Sequence, residues 1–342
     1  MDEFELIRLL TGGRKPGSGG NGTVVGIGDD AAVVEHREGF QWVVTCDTMV
    51  QEIHFKETTM SYRDVGYKAM ASNVSDLAAM GALPRFALAL LCVPKGMEPE
   101  NLKELYDGMY QCADRFGVTL IGGDTVSTPG GLVLGVTAIG EVERGKALLR
   151  SRARPGDEVF LTGPVGLSAA GLTAIFRGDT EENADVAVSR NALQRWVNAH
   201  RRPEPQVLAG RLLVESGYGR ALNDISDGLA SEAWEIAEAS RCTLVLREQA
   251  LPVDPELDVY AAATGNSLLD WMLAGGEDYQ LIGTVAGEDA DKAEQLFASH
   301  GLAFYRIGRV EPGTDTGAAV WLVKPDGRRV PVGKVGYNHF KR

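Results

Sequence analysis

Five stretches of this chain set aspartates among glycines, small hydroxyl or amide residues: Gly26-Ile27-Gly28-Asp29-Asp30, Thr45-Cys46-Asp47-Thr48, Asn73-Val74-Ser75-Asp76, Gly122-Gly123-Asp124-Thr125 and Asn223-Asp224-Ile225-Ser226-Asp227-Gly228. A short carboxylate side chain displayed where glycine lets the backbone turn sharply suits a hard divalent cation, which takes oxygen ligands. The chain is therefore read as a scaffold that brings these aspartates together.

At 342 residues it is long for one core, and two domains are expected, 1–148 and 149–342. A formal net charge of -13 argues against a nucleic-acid partner, because phosphate backbones are held mainly by Lys and Arg. An acidic protein that handles phosphate needs metal ions between the two. With 44% apolar residues and no apolar run approaching the roughly 18 residues of a membrane span, no membrane partner is expected. The start, Met1-Asp2-Glu3-Phe4-Glu5, lacks the pattern of a signal peptide, so the expected location is cytoplasmic. Cys46, Cys92, Cys112 and Cys242 lie far apart with no C-x-x-C spacing, which fits reduced thiols.

Taken in order, residues 4–10 read as a short helix and 11–22 as a glycine-rich segment. Within the latter, Gly17-Ser18-Gly19-Gly20-Asn21-Gly22 matches G-x-G-x-x-G but precedes a strand instead of joining strand to helix, so it is no dinucleotide fingerprint. Strands are expected over 31–34 and 41–44, the second placing Asp47 just beyond its end. His54, isolated, fits a structural role on spacing alone. Ser61 caps a helix with Asp64 at its third position, and Asn73 and Asp76 share a face of it. Strands over 86–93, 118–121 and 131–142 and a helix from Pro99 to about residue 116 complete a first α/β unit, with Gly122-Gly123-Asp124 after a strand end.

Basic residues concentrate in the connector as Arg144, Lys146, Arg150, Arg152 and Arg154, before Pro155-Gly156. Beyond it come a strand over 158–161, helices over 166–176 and between 184 and 217, and a helix starting near Ser226, whose hydroxyl and free amides suit a phosphate. Gly275-Gly276-Glu277-Asp278-Tyr279 links a helix to a strand, and the tail carries Tyr337 and Phe340, which favour docking over solvent. With no P-loop lysine and no protein-kinase signature, the residues point to metal-dependent phosphate chemistry in an α/β (α+β) protein.

The ordered motifs G-I-G-D-D-A-A, T-C-D-T-M-V, N-V-S-D-L-A-A-M-G-A, L-I-G-G-D-T, L-x-R-S-x-A-x-P-G-D, D-I-S-D-G-L, G-G-E-D-Y and G-Y-N-H-F, running from Gly26 to Phe340, resemble the thiamine-monophosphate kinase family of the aminoimidazole ribonucleotide synthetase superfamily. The resemblance implies Mg2+-dependent transfer of the ATP γ-phosphoryl group to thiamine monophosphate. It implies a two-domain fold whose N-terminal sheet forms a barrel across a homodimer. It also implies that Asp30, Thr45, Cys46, Asp47, Asp76, Asp124, Asp224 and Asp227 hold several Mg2+ ions, with Asp47 and Asp124 central to catalysis and no side chain acting as general acid or base. Gly123, Asp124, Arg150 and Ser226 would meet ATP, and His54, Glu277 and Tyr337 the thiamine moiety. Cys46 departs from a position that often carries a hydroxyl, and a thiol is a poor Mg2+ ligand, so its contact would be its backbone carbonyl. The competing readings are an aminoimidazole ribonucleotide synthetase-like enzyme and a non-catalytic nucleotide or metal sensor on the same scaffold.

Overall fold

The structure is a computed structural model and describes residues 23–25, 29–179, 188–315 and 317–337. The expected helix over 4–10, the glycine-rich 11–22 segment, the Gly26-Ile27-Gly28 turn and the tail residue Phe340 lie outside the described residues.

The first sheet is built from β1 (Thr23–Val25), β2 (Ala32–Glu35), β3 (Phe40–Val50), β4 (Leu83–Pro94), β5 (Thr119–Thr128) and β6 (Val133–Glu143) in the order β1-β2-β3-β6-β4-β5. Only β4 and β5 run parallel. Two strands are longer than local sequence suggests. Asp47 lies inside β3, opposite Val136 of β6, and Asp124 lies inside β5, opposite Leu90 of β4. The reason is non-local: β6 pairs with β3 from Phe40 to Val50, so the polar Thr45-Cys46-Asp47-Thr48 run is held extended by its neighbour.

One face of this sheet carries α1 (Tyr62–Ala79) and α2 (Pro99–Phe116). Ser61 and Asp64 form the expected capping box of α1, and Gly117 in the left-handed region ends α2. The two helices approach closely because each offers a glycine: a Cβ on Gly66 would stand 1.9 Å from the Leu105 carbonyl oxygen, and one on Gly108 1.9 Å from that of Arg63. Helix α1 is buried on nearly every side, including Lys68, Asn73 and Ser75. It is wedged between the first sheet and the second half of the chain.

That half holds β7 (Asp157–Leu161), α3 (Leu167–Arg177), α4 (Arg190–Arg201), α5 (Val207–Ser216), β8 (Gly219–Asp224), α6 (Leu229–Ser240), β9 (Cys242–Arg247), α7 (Leu257–Ala263), α8 (Leu268–Ala274), β10 (Leu281–Ala286), α9 (Ala290–Ser299), β11 (Tyr305–Pro312), β12 (Ala319–Val323) and β13 (Arg329–Pro331). Its sheet runs β13-β12-β9-β11-β7-β10-β8, antiparallel except for β12 beside β9. One continuous apolar core joins the halves, with Val33, Val43 and Leu77 packed together with Leu213, Phe160, Leu281 and Phe297. Among the described residues no helix is long and apolar enough to cross a membrane.

Candidate functional site: a carboxylate cluster beside a cavity

Asp30 enters just before β2, Asp76 lies in the last turn of α1, and Asp224 ends β8. Three elements remote in sequence thus place one carboxylate oxygen each within 4.8 Å of the others. Burial drives all three acids upward from the ordinary aspartate value, and repulsion from neighbouring carboxylates adds to it, Asp47 and Glu235 in the case of Asp224, which is pushed to about 6. Hydroxyls hold two of them: Thr45 Oγ1 donates to Asp76 at 2.5 Å and Ser75 Oγ to Asp224 at 2.6 Å. The buried Oδ2 of Asp30 has no hydrogen-bond partner. A buried acceptor left so is costly, and a cation of charge two beside three oxygens of this spacing would relieve it.

Asp47 stands near the cluster on the same face of β3 as Thr45, its N–H donating to Asn73 Oδ1 at 3.0 Å. Cys46 points to the opposite, exposed face of that strand. Asp124 is exposed on β5, in line across the sheet with Leu90, Gly135 and Thr48. Its strand is three spacings from β3, roughly 14 Å, so within one chain Asp124 is not brought to the other aspartates. Gly123 has φ +152°, and a Cβ there would stand 1.9 Å from the Ala89 carbonyl oxygen, so close pairing with β4 already demands glycine.

Arg150 sits behind the cluster. Its guanidinium pairs with Asp30, lies 2.9 Å from Glu235, and donates to Asn223 at 3.1 Å. Burial opposes its charge, yet Asp30 and Glu235 outweigh that and raise its pKa. Glu232, buried and pushed upward by burial and by Glu235, accepts from the Asn223 amide at 2.7 Å and from the Asp227 N–H at 3.1 Å. Glu232 and Glu235 lie three apart on α6, the spacing that puts two side chains on one face. That signal was available in the sequence, where only the aspartates were weighed. The helix itself starts at Leu229, so Ser226 precedes its first turn instead of opening it.

A cavity of about 850 Å³ opens beside the cluster, lined by Asp47, His54, Ser226, Asp227, Glu277 and Tyr337. Ile53, Phe55, Leu172 and Phe176 add an apolar wall. His54 lines the cavity, and its Nδ1 accepts from the Val50 N–H at 3.0 Å. The loop from Gly275 to Tyr279 crosses onto the Ser226 segment: Glu277 N–H donates to the Ser226 carbonyl at 2.6 Å and Tyr337 N–H to that of Asp227 at 3.2 Å. Two residues that contact Glu277 escaped the sequence reading. Lys68 and His200 are buried and close on Glu277.

Carboxylates at a spacing that could hold a metal, beside a cavity with one apolar wall, fit a phosphate-bearing substrate with a ring system. The sequence matches the family described as AIR synthase related protein, N-terminal domain, over residues 28–142, and its C-terminal domain over 154–320. It is 43% identical to the thiamine-monophosphate kinase of Bacillus subtilis over the full length of both chains. The chain belongs to the thiamine-monophosphate kinase family. The Haemophilus influenzae thiamine-monophosphate kinase is 35% identical over 92% of this chain and 91% of its own. A solved structure described as AaThiL complexed with AMPPCP and TMP matches with a TM-score of 0.82 at 29% identity, covering 99% of this chain and 97% of that one. The two-domain fold of the superfamily is therefore present, and the chain is a phosphotransferase that uses ATP and thiamine monophosphate.

Proposed function

We propose that the carboxylate cluster and the adjoining cavity are the two ends of one active site, in which the ATP γ-phosphoryl group passes to the phosphate of thiamine monophosphate, giving thiamine diphosphate and ADP. The observation that supports this most is the convergence of Asp30, Asp76 and Asp224 beside a cavity that also holds Glu277 and Tyr337. Several Mg2+ ions, when bound, supply the positive charge that lets two phosphates approach in line.

The residues of the chain hold and aim. Asp30, Asp47, Asp76, Asp224 and Asp227 provide carboxylates, Thr45 orients Asp76, and Cys46 contributes at most its backbone carbonyl. Ser226 and Arg150 face the nucleotide phosphates, with Arg150 kept charged by Asp30 and Glu235. His54, Glu277 and Tyr337 receive the thiamine moiety, Glu277 toward the thiazolium and Tyr337 against a ring. The acceptor phosphate has a second pKa near ~6, so it is largely dianionic at neutral pH and no general base is required.

Gly123 and Asp124 join this site through a second copy of the chain. β5 is the edge of its sheet, and the face it shares with β4 exposes Leu88, Leu90, Ile121 and Val126, with Ile121 55% and Leu90 46% exposed. An apolar, unpaired edge of this kind calls for a cover. A homodimer whose sheets close into a barrel provides it, and puts residues 1–148 at the interface and 149–342 over the nucleotide. A cytoplasmic location agrees with four free thiols.

The test incubates the protein with ATP, Mg2+ and either thiamine monophosphate or thiamine, followed by chromatography of the products. Thiamine diphosphate formed from the monophosphate and abolished by a chelator is the expected result. Undiminished turnover in the chelator removes the metal reading of the cluster, and near-normal turnover in Asp47→Asn removes Asp47 from the essential metal set.

A further inference from the structure

Glu277 reaches the cavity from a strained loop. Its φ is +65° and that of Tyr279 is +49°, conformations that a residue with a Cβ adopts only where its surroundings insist. The constraint on the side chain comes from the other half of the molecule. Lys68, in the middle of α1 and 1% exposed, places Nζ 2.6 Å from Glu277 Oε1. Among the described residues no other carboxylate pairs with this ammonium. Asp278, next in the chain, turns away and accepts from the Gly166 and Ser168 amides at 2.6 and 3.0 Å.

The second oxygen of Glu277 is 3.5 Å from His200 Nδ1, and Ser168 Oγ is 3.0 Å from the same nitrogen. Burial, with Lys68 and Arg201 adding to it, drives the His200 pKa down to about 2, so the ring is neutral. Its contact with Glu277 is dipolar and leaves the carboxylate charge to Lys68 alone. A buried ammonium is costly without its partner, which ties Glu277 to one place and one rotamer. Glu277 itself remains 31% exposed, and its exposed part faces the cavity.

We propose that Lys68 is a positioning residue for the acceptor substrate: it clamps one oxygen of Glu277 across the domain boundary so that the free edge of the carboxylate meets the cationic ring of thiamine monophosphate. This rests on the role given above to Glu277. A carboxylate so clamped does not swing toward Asp47 and Asp227, which line the same cavity, and it selects a ring by charge at a set position. Lys68 also shares α1 with Ser75 and Asp76, so the same helix sets both ends of the site.

The test compares the wild type, Glu277→Gln, Lys68→Met and the double variant, varying ATP and thiamine monophosphate separately. An uncharged-ring analogue of thiamine monophosphate, carrying thiophene in place of thiazolium, serves as inhibitor. Lys68→Met is expected to raise the KM for thiamine monophosphate about tenfold or more while the KM for ATP stays within about twofold. The double variant should match Glu277→Gln in KM, and both should lose the preference for the charged ring, since Lys68 acts through Glu277.

A wild-type KM in Glu277→Gln overturns the role of Glu277 and this proposal with it. A raised KM there with a wild-type KM in Lys68→Met overturns the role of Lys68 alone. If Lys68→Met does not fold, the charge-balanced double variant decides: a KM for thiamine monophosphate well above that of Glu277→Gln, or parallel losses for ATP, refutes positioning.

Discussion

The two ends of the cleft bury charge in opposite ways. At the cluster, Asp30, Asp76 and Asp224 crowd together, and among the described residues only Arg150 supplies a cation that pairs with one of them, Asp30. At the cavity floor, Glu277 is matched by Lys68 beside a neutral histidine. Crowded carboxylates without matching cations repel an incoming triphosphate, so that end works only with imported positive charge. The other end carries its own counter-ion and needs none. Under the proposed function the contrast follows the substrates: phosphates would arrive with metal, whereas a thiazolium ring arrives already positive.

The largest test of the contrast is Asp76→Asn. Turnover should fall by about a thousandfold or more, as when a group that stabilises the transition state is lost. The metal-free variant should melt no lower than the wild type, because a repelling charge has gone, and its rise in Tm with Mg2+ should vanish. Calorimetry with and without Mg2+ checks both; a lower metal-free Tm with an intact Mg2+ response would mean that the three carboxylates do not repel one another.

Next comes Arg150→Gln, which strands Asp30 and Glu235 without their cation. Breaking a buried pair on one side costs about 3 kcal/mol or more, read by urea unfolding of the metal-free protein. Added Mg2+ should return part of that loss. A cost under about 0.5 kcal/mol, the size of an ordinary surface change, would show that Arg150 does not neutralise the cluster.

The smallest effect concerns pH at the cavity end. Burial pushes the Asp278 carboxyl up to about 7, against about 3.9 in an unfolded chain. Between those values the folded state binds a proton that the unfolded state releases, so stability from this group falls as pH rises, by at most about 1.4 kcal/mol per unit, and the loss is complete above pH 7. Asp278→Asn removes the dependence. The wild type should therefore gain on the variant in Tm as pH drops from 8 to 6, and a constant gap would mean that Asp278 is ionised throughout.

Much of the carboxylate cluster was legible from sequence. Asp30, Asp76 and Asp224 stand in short polar motifs, and their residue types alone point to a cation. The faces were less so. The glycine and polar runs around Asp47 and Asp124 read locally as turns after strands, but pairing with β6 and β4 keeps both extended. That same pairing sends Asp124 to the open face with Cys46 and Thr48. Lys68 was readable as a lysine in an alanine-rich helix, yet an amphipathic pattern assigns such a residue to solvent. Only the second half of the chain, closing over α1, buries it.

The sequence by itself determined the chemistry on offer: aspartates in glycine-bounded motifs, a capped helix carrying Asn73 and Asp76, and a surplus of negative charge. These follow from residue type and from spacings of three or four positions, which local backbone geometry obeys. Tertiary structure decided which charges are paired and which carboxylates crowd together. Burial and ion pairing join residues as far apart as Lys68 and Glu277, and no local periodicity encodes a contact of that range.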